Sequence, residues 1–88
     1  MQDDILKEIN KAICKIIRKG FLLSYFRVDG SEALAKFYNG DTFIVLEINK
    51  ETVKISVTTW TKTVKVEKEA LKPPFADKLA RMVIQHAK

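Results

Sequence analysis

The sequence predicts an α+β fold, with a helix, then an antiparallel meander of four or five strands, then a second helix. Apolar residues recur at helical spacing near the start of the chain, and apolar and polar residues alternate over its middle. Two dipeptides typical of two-residue β-hairpin turns lie ten residues apart, and two prolines interrupt the chain before its last apolar stretch. These signals are Asp29-Gly30, Asn39-Gly40 and Pro73-Pro74.

The first element is an amphipathic helix predicted over residues 3–19. Asp3 or Asp4 suits its N-terminal end, and Gly20 can adopt the left-handed conformation that commonly ends a helix. The face opposite its apolar arc carries lysines and Arg18, and we interpret that face as solvated. The apolar arc consists of Ile5, Leu6, Ile9, Ala12, Ile13, Ile16 and Ile17.

Four strands are predicted after this helix, each joined to the next by a short turn. If the two turn dipeptides are the loops of their hairpins, Phe26 lies opposite Ala33 and Ala35 lies opposite Ile44. The side chains that share a face follow from this register, because successive residues of a strand point to opposite sides. The strands are expected at about 21–28, 31–38, 42–49 and 52–60.

A third hairpin, centred on Lys50-Glu51, places Ile48 opposite Val53. With the other two hairpins it produces one face that is almost wholly apolar and that helices must cover. That face is predicted to hold Leu22, Phe26, Val28, Ala33, Ala35, Phe37, Ile44, Leu46, Ile48, Val53, Ile55 and Val57.

The last part of the chain is less regular until its second helix. Residues 63–67 either add a fifth strand, which would extend the sheet over 21–67, or prolong the fourth, because no Gly or Asn marks a turn before them. The helix is predicted over 74–87, with Pro74 near its first position. Its apolar side carries Phe75, Leu79, Met82, Val83 and His86.

Composition and charge limit the classes of protein to consider. The chain has 88 residues, 47% of them hydrophobic and 31% charged, which is typical of one folded domain over 1–88. One cysteine excludes an internal disulfide and, with no export signal, predicts a cytoplasmic protein. No uncharged run approaches a membrane span, so no membrane partner is expected. The abundance of Lys, Glu and Ile is compatible with a thermophile or with an AT-rich genome.

The net charge of +5 is concentrated at the two ends of the chain. Residues 1–20 carry five bases and three acids, and residues 61–88 carry seven bases and three acids. Residues 21–60 carry four bases and five acids, a balance of −1. A polyanion would therefore be attracted more to the ends of the chain than to the sheet.

The second face of the sheet mixes aromatic and basic side chains and is the main indication of function. Aromatic rings on a sheet stack unpaired bases, and nearby cations hold the phosphates. Rings are equally typical of the core of a subunit interface, and a covering helix is a third interpretation. Phe21 is expected on this face opposite Tyr38, with Lys36 opposite Phe43. The candidate nucleic-acid-binding residues are Tyr25, Arg27, Lys36, Tyr38, Phe43, Lys54, Trp60, Lys62 and Lys65.

The predicted register aligns four charged residues across the same face: Arg27, Glu32, Glu47 and Lys54. The two adjacent carboxylates would suit a cation or raise one carboxyl pKa. We prefer a ladder in which each acid pairs outward with a base, because no third carboxylate or histidine lies nearby.

No catalytic motif is present, and we expect neither an enzyme nor a metal or cofactor site. The order of the first helix, Asp29 and Glu47-Ile48-Asn49 loosely resembles archaeal Holliday-junction resolvases. That family requires a lysine two residues after the glutamate, and Asn49 stands there. Cys14 is interpreted as an inert surface thiol, and His86 as a packing or interface residue.

The layout is similar to that of the small ThermoDBP-type single-stranded DNA-binding proteins of archaea. The features that carry the likeness are the helix over 3–19, the meander from Phe21 to Trp60, and the helix after Pro73-Pro74. The resemblance implies a homo-oligomer that binds single-stranded DNA in a groove between subunits. A dimer or tetramer is also expected because a monomer would expose an unusually large aromatic face. The alternative function is a non-catalytic assembly or adaptor protein whose aromatic face is a subunit interface.

Overall fold

The computed structural model describes residues 3–87, in which two helices flank five consecutive strands. The predicted α+β fold with an antiparallel meander is confirmed, and residues 63–67 belong to a separate fifth strand. Both helices are a little shorter than predicted, the second beginning two residues after Pro74. The elements are α1 (Asp3–Arg18), β1 (Leu22–Asp29), β2 (Glu32–Asn39), β3 (Thr42–Ile48), β4 (Thr52–Thr58), β5 (Thr63–Glu69) and α2 (Ala76–His86).

The strands form one antiparallel sheet in the order β1-β2-β3-β4-β5, and both helices pack on the same face of it. Every second residue of the three central strands is buried on that face, where it meets the apolar sides of α1 and α2. The largest side chains with almost no exposure are Phe37, Ile9, Ile16, Ile44, Leu46, Ile55, Leu79, Val53 and Val83. Ile17, predicted on the apolar arc of α1, is 40% exposed at the end of the helix.

The first two hairpins differ from the predicted register by two residues. The last pairs before the turns are Asp29 with Glu32 and Asn39 with Thr42, so each loop begins with the glycine rather than ending with it. Phe26 therefore lies opposite Ala35, not Ala33. A shift of two residues does not by itself move a side chain to the other face, because the side-chain period of a strand is also two.

The glycines explain the position of both loops. Gly30 and Gly40 have φ values of +60° and +58°, and none of the other described residues except Gly20 has a positive φ. A turn of type I′ needs positive φ at both loop positions, whereas type II′ needs it only at the first. One glycine per turn therefore favours the loops Gly30-Ser31 and Gly40-Asp41.

The third hairpin has the predicted register, with Ile48 opposite Val53. Asn49 stabilises its turn, since Oδ1 of Asn49 accepts hydrogen bonds from the backbone N–H groups of Glu51 and Thr52, both at 2.8 Å. The side chain of Asn49 thus stabilises this turn, which contains no glycine.

A β-bulge at Ser24 overturns the predicted positions of the residues that begin β1. The register shifts between Leu23 and Tyr25, so the residues before Ser24 point to the faces opposite to those predicted. Phe21 is buried in the core instead of lying on the mixed face. Leu22 pairs with Tyr38 and is 54% exposed instead of buried.

Candidate functional site

The sheet face opposite the helices, called here the outer face, is not covered by any part of the chain that the structure describes. Both helices contribute to the core on the other side, so the interpretation that a helix covers the mixed face is wrong. Leu22, Tyr25, Tyr38 and Phe43 are all exposed on the outer face. Most of the candidate residues lie on this face.

Two rows of side chains cross the outer face at the end where β1 begins, and we call them the aromatic rows. Neighbouring strands lie about 4.8 Å apart, so residues paired across them are direct neighbours. The aromatic rows hold three exposed rings and two exposed lysines, and no carboxylate. The first row is Leu22, Tyr38, Phe43, Thr58 and Thr63, and the second is Tyr25, Lys36, Val45, Ser56 and Lys65.

The observed register gives the side chains of these rows different cross-strand neighbours from those predicted. Tyr38 lies opposite Phe43, where the sequence predicted Lys36 opposite Phe43. Lys36 instead lies opposite Tyr25, and its Nζ is 5.5 Å from the centre of the tyrosine ring. This distance is within the range of a cation–π interaction, which holds the ammonium group next to the exposed rings.

Carboxylates are confined to the other half of the outer face, in two rows that we call the charged rows. The first of them places Glu47 beside Lys54, whose Nζ lies 3.9 Å from Oε1 of Glu67. The predicted alignment of Glu32 with Glu47 is wrong, because Leu34, and not Glu32, lies opposite Glu47. The two carboxylates considered for a cation are therefore not directly opposite each other. The charged rows contain Arg27, Leu34, Glu47, Lys54 and Glu67, then Asp29, Glu32, Thr52 and Glu69.

Trp60 lies in the turn between β4 and β5 rather than in a strand. Thr59 and Lys62 close this turn, in which the N–H of Thr59 donates to the carbonyl of Lys62 at 2.8 Å. The indole Nε1 of Trp60 donates to Oδ2 of Asp41 at 2.8 Å, and the Trp60 side chain is 84% exposed. Trp60 and Asp41 are therefore neighbours across two turns. Both turns lie at the end of the sheet that carries the aromatic rows.

The nine predicted site residues thus fall into three groups. Tyr25, Lys36, Tyr38, Phe43 and Lys65 lie in the aromatic rows. Trp60 and Lys62 belong to the adjoining turn, and Arg27 and Lys54 lie among the carboxylates of the charged rows. Leu22, which the sequence predicts on the apolar face, instead belongs to the outer face. Leu22-Leu23 before Ser24 and Tyr25-Phe26 after it each place an apolar side chain on both faces of the strand. The alternation of apolar and polar residues therefore does not indicate where the register shifts, and the sequence contains no signal for the bulge.

Other reactive groups are scattered. Among residues 3–87, no three His, Cys, Asp or Glu side chains are grouped so that they could hold a metal ion. Cys14 is an exposed free thiol on α1, and His86 is half-buried at the end of α2. Neither helix in the described chain is long and apolar enough to cross a membrane.

Comparison with protein-family models, with curated proteins and with solved structures finds no match for this chain. The resemblance to ThermoDBP-type proteins therefore stays a prediction. The geometry of the outer face is what supports a functional proposal.

Proposed function

We propose that the protein binds single-stranded nucleic acid, with DNA as the expected ligand, as a homo-oligomer, with unpaired bases stacked on the aromatic rows. The observation that supports this proposal is the segregation of charge across the outer face. The rings of Tyr25, Tyr38 and Phe43 share their two rows with Lys36 and Lys65, whereas the carboxylates at strand positions lie in the charged rows.

Segregation matters because the strand positions of the outer face carry slightly more acids than bases. A uniformly mixed face of that composition would repel a polyanion weakly. With the acids confined to one half, the aromatic rows present only positive charge at strand positions, and Lys62 in the adjoining turn adds to it. The carboxylate of Asp41, at the same end, accepts the hydrogen bond of the Trp60 indole.

Tyr38 and Phe43 are the best-placed rings for stacking. They are exposed direct neighbours on β2 and β3, and no lysine among residues 3–87 lies over either ring. Base–aromatic stacking contributes about 1–3 kcal/mol per base and tolerates any sequence, because every base has a π-face. We expect the Lys36 ammonium, held 5.5 Å from the centre of the Tyr25 ring, to contact the phosphate that links two stacked bases.

The test is a fluorescence-anisotropy titration with a labelled mixed-sequence single strand at low and moderate salt. We expect Phe43→Ala to weaken binding by about 1–3 kcal/mol. Lys36→Ala and Lys65→Ala should each reduce the slope of log affinity against log salt by about 0.7, the value for one phosphate contact on a single strand. Lys78→Ala is the matched control, because Lys78 is an exposed lysine on α2, away from the outer face. Absence of binding at low salt, or an equal effect of all three lysines, contradicts the proposal.

The second candidate function is protein–protein assembly through the same face. Leu22, Tyr38 and Phe43 form a run across three strands that contains no charge, as interface cores commonly do. Burial of this run by protein predicts self-association or partner binding that changes little with salt. Nucleic-acid binding predicts that the labelled strand is bound with an affinity that falls steeply with salt, whereas assembly alone predicts no binding of the strand, so the same titration separates the two functions.

A further inference from the structure

The two edges of the sheet are built differently. Among the described strands, β1 pairs only with β2, and β5 pairs only with β4, so each has one unpaired side. An edge strand presents backbone N–H and C=O groups that can pair with another chain, and proteins commonly block such edges with charged side chains.

Strand β5 is blocked in this way. Lys65 and Glu67 lie on its outer face, and Lys68, opposite Val53, lies on the face toward the core. An inward-pointing charge at an edge is a recognised obstacle to further strand pairing, because the added strand would bury it. We therefore expect β5 to remain an edge.

Strand β1 has no charge on its core-side face. That face carries Leu23, Phe26 and Val28, and both Leu23 and Val28 are 38% exposed because the helices do not fully cover this edge. On the outer face, Leu22 and Tyr25 are exposed as well. Exposed apolar side chains on both faces of an unpaired strand are suited to the addition of another strand, whose side chains would cover both.

We propose that β1 pairs antiparallel with β1 of a second copy of this chain, joining two sheets into one across a two-fold axis. This inference specifies the self-association included in the proposed function. Residues directly opposite each other must share a face, which limits the register. Centring the axis on Phe26 places Tyr25 opposite Arg27 of the second copy and, beyond the bulge at Ser24, Leu23 opposite Val28.

This register is self-complementary. Each exposed Leu23 meets an exposed Val28, and each Tyr25 ring meets an Arg27 guanidinium, in both halves of the pairing. Centring the axis on Arg27 instead would set two guanidinium groups directly opposite each other, which is destabilising. The axis centred on Phe26 is therefore preferred to one centred on Arg27, and this self-complementary pairing favours a second β1 as the occupant.

Sedimentation velocity at tens of micromolar tests the interface. We expect the native chain to have twice the 10.1 kDa chain mass, and Val28→Lys to be a monomer with an unchanged circular-dichroism spectrum. Val64→Lys is the matched control, because Val64 is also a core-side valine on an edge strand, β5, and that variant should stay dimeric. A monomeric native chain, or the same result for both variants, overturns the proposal.

Disulfide trapping tests the register in a Cys14→Ser background, which removes the exposed native thiol. Opposite positions have Cα atoms within disulfide range, whereas positions offset by two residues do not. An equimolar mixture of Tyr25→Cys and Arg27→Cys should yield a cross-linked dimer containing one chain of each, and neither variant alone should cross-link. Cross-linking only within a single variant overturns the register. Both experiments measure mass without nucleic acid, so this inference and the binding function can fail separately.

Discussion

Oε1 of Glu8, on the first helix, accepts a hydrogen bond from the backbone N–H of Phe75 at 2.7 Å, across most of the length of the chain. The same oxygen accepts from the N–H of Ala76 at 3.1 Å. These N–H groups begin α2, where no side chain of the helix itself forms a cap. A carboxylate of α1, only 8% exposed, therefore caps α2 and joins the two helices.

Removal of this cap should destabilise the protein. Glu8→Ala leaves two N–H groups without their partner in a buried setting, and we expect Tm to fall by about 5 °C for a domain of this size. Glu8→Gln keeps an acceptor oxygen but loses the charge, so its effect should be smaller. Thermal unfolding by circular dichroism measures both. Equal Tm for the native chain and Glu8→Ala would show that the cap contributes no stability.

The same contacts make stability depend on pH. The N–H groups of Ala76 and Phe75, with a smaller contribution from Lys11, hold the pKa of Glu8 below its ordinary value of 4.5. A lowered pKa in the folded state contributes stability that is present above pH 4.5 and is lost as pH falls through the folded pKa. We expect Tm of the native chain to fall in that range, and Glu8→Gln to show a shallower fall. Parallel profiles of the two proteins would exclude Glu8 as a source of the acid sensitivity.

The ion pair between Lys15 and Asp77 also joins the helices, with Nζ and Oδ1 2.8 Å apart. The hydrogen bond and charge of Lys15 lower the pKa of Asp77. Because Asp77 is largely exposed, solvent and salt screen the pair, and such pairs contribute little. Asp77→Asn should change Tm by far less than Glu8→Ala. The difference in Tm between Asp77→Asn and the native chain should vanish at high salt. Comparing both variants at low and high salt tests the assignment.

Gly40 should resist substitution for a backbone reason. A Cβ at this position meets no atom within 4 Å, so the cost comes from its φ of +58° and not from a clash. Gly40→Ala should lower the free energy of unfolding by about 1–2 kcal/mol, whereas Gly40→Asn should cost less because Asn tolerates this conformation. Urea unfolding midpoints of the two variants give the measurement. The reverse order would contradict a conformational cause.

Trp60 should report on ligand without supporting the fold. Its side chain is almost fully exposed, so Trp60→Ala should leave Tm nearly unchanged while weakening single-strand binding by about 1–3 kcal/mol. A stacked base should also quench its emission, which titration with unlabelled oligonucleotide detects. Asp41→Ala is a second variant for comparison, because it removes the hydrogen-bond acceptor of the indole but retains the Trp60 ring. Unchanged emission at saturating oligonucleotide would remove Trp60 from the binding surface.

Much of the fold follows from local patterns. The helical spacing of apolar residues up to Ile16, the turn before Val53 and the two prolines predict elements that the structure contains within one or two residues at most boundaries. The faces of β2, β3 and β4 are also predictable, since alternation is a property of each strand by itself. Even the error of two residues in the first two hairpins left every side chain of these strands on its predicted face.

The arrangement of the candidate site was less predictable, because it depends on contacts between distant segments. The α+β meander, its apolar face and the presence of rings and lysines on the opposite face follow from the residue pattern alone. Contacts formed in the folded chain make Leu22 exposed and Phe21 buried, confine the carboxylates to one half of the outer face, and place Glu8 at the start of α2 as its cap. A bulge, a pairing register and a capping contact between helices each depend on which strands and helices meet in space, and no local pattern of residues encodes them.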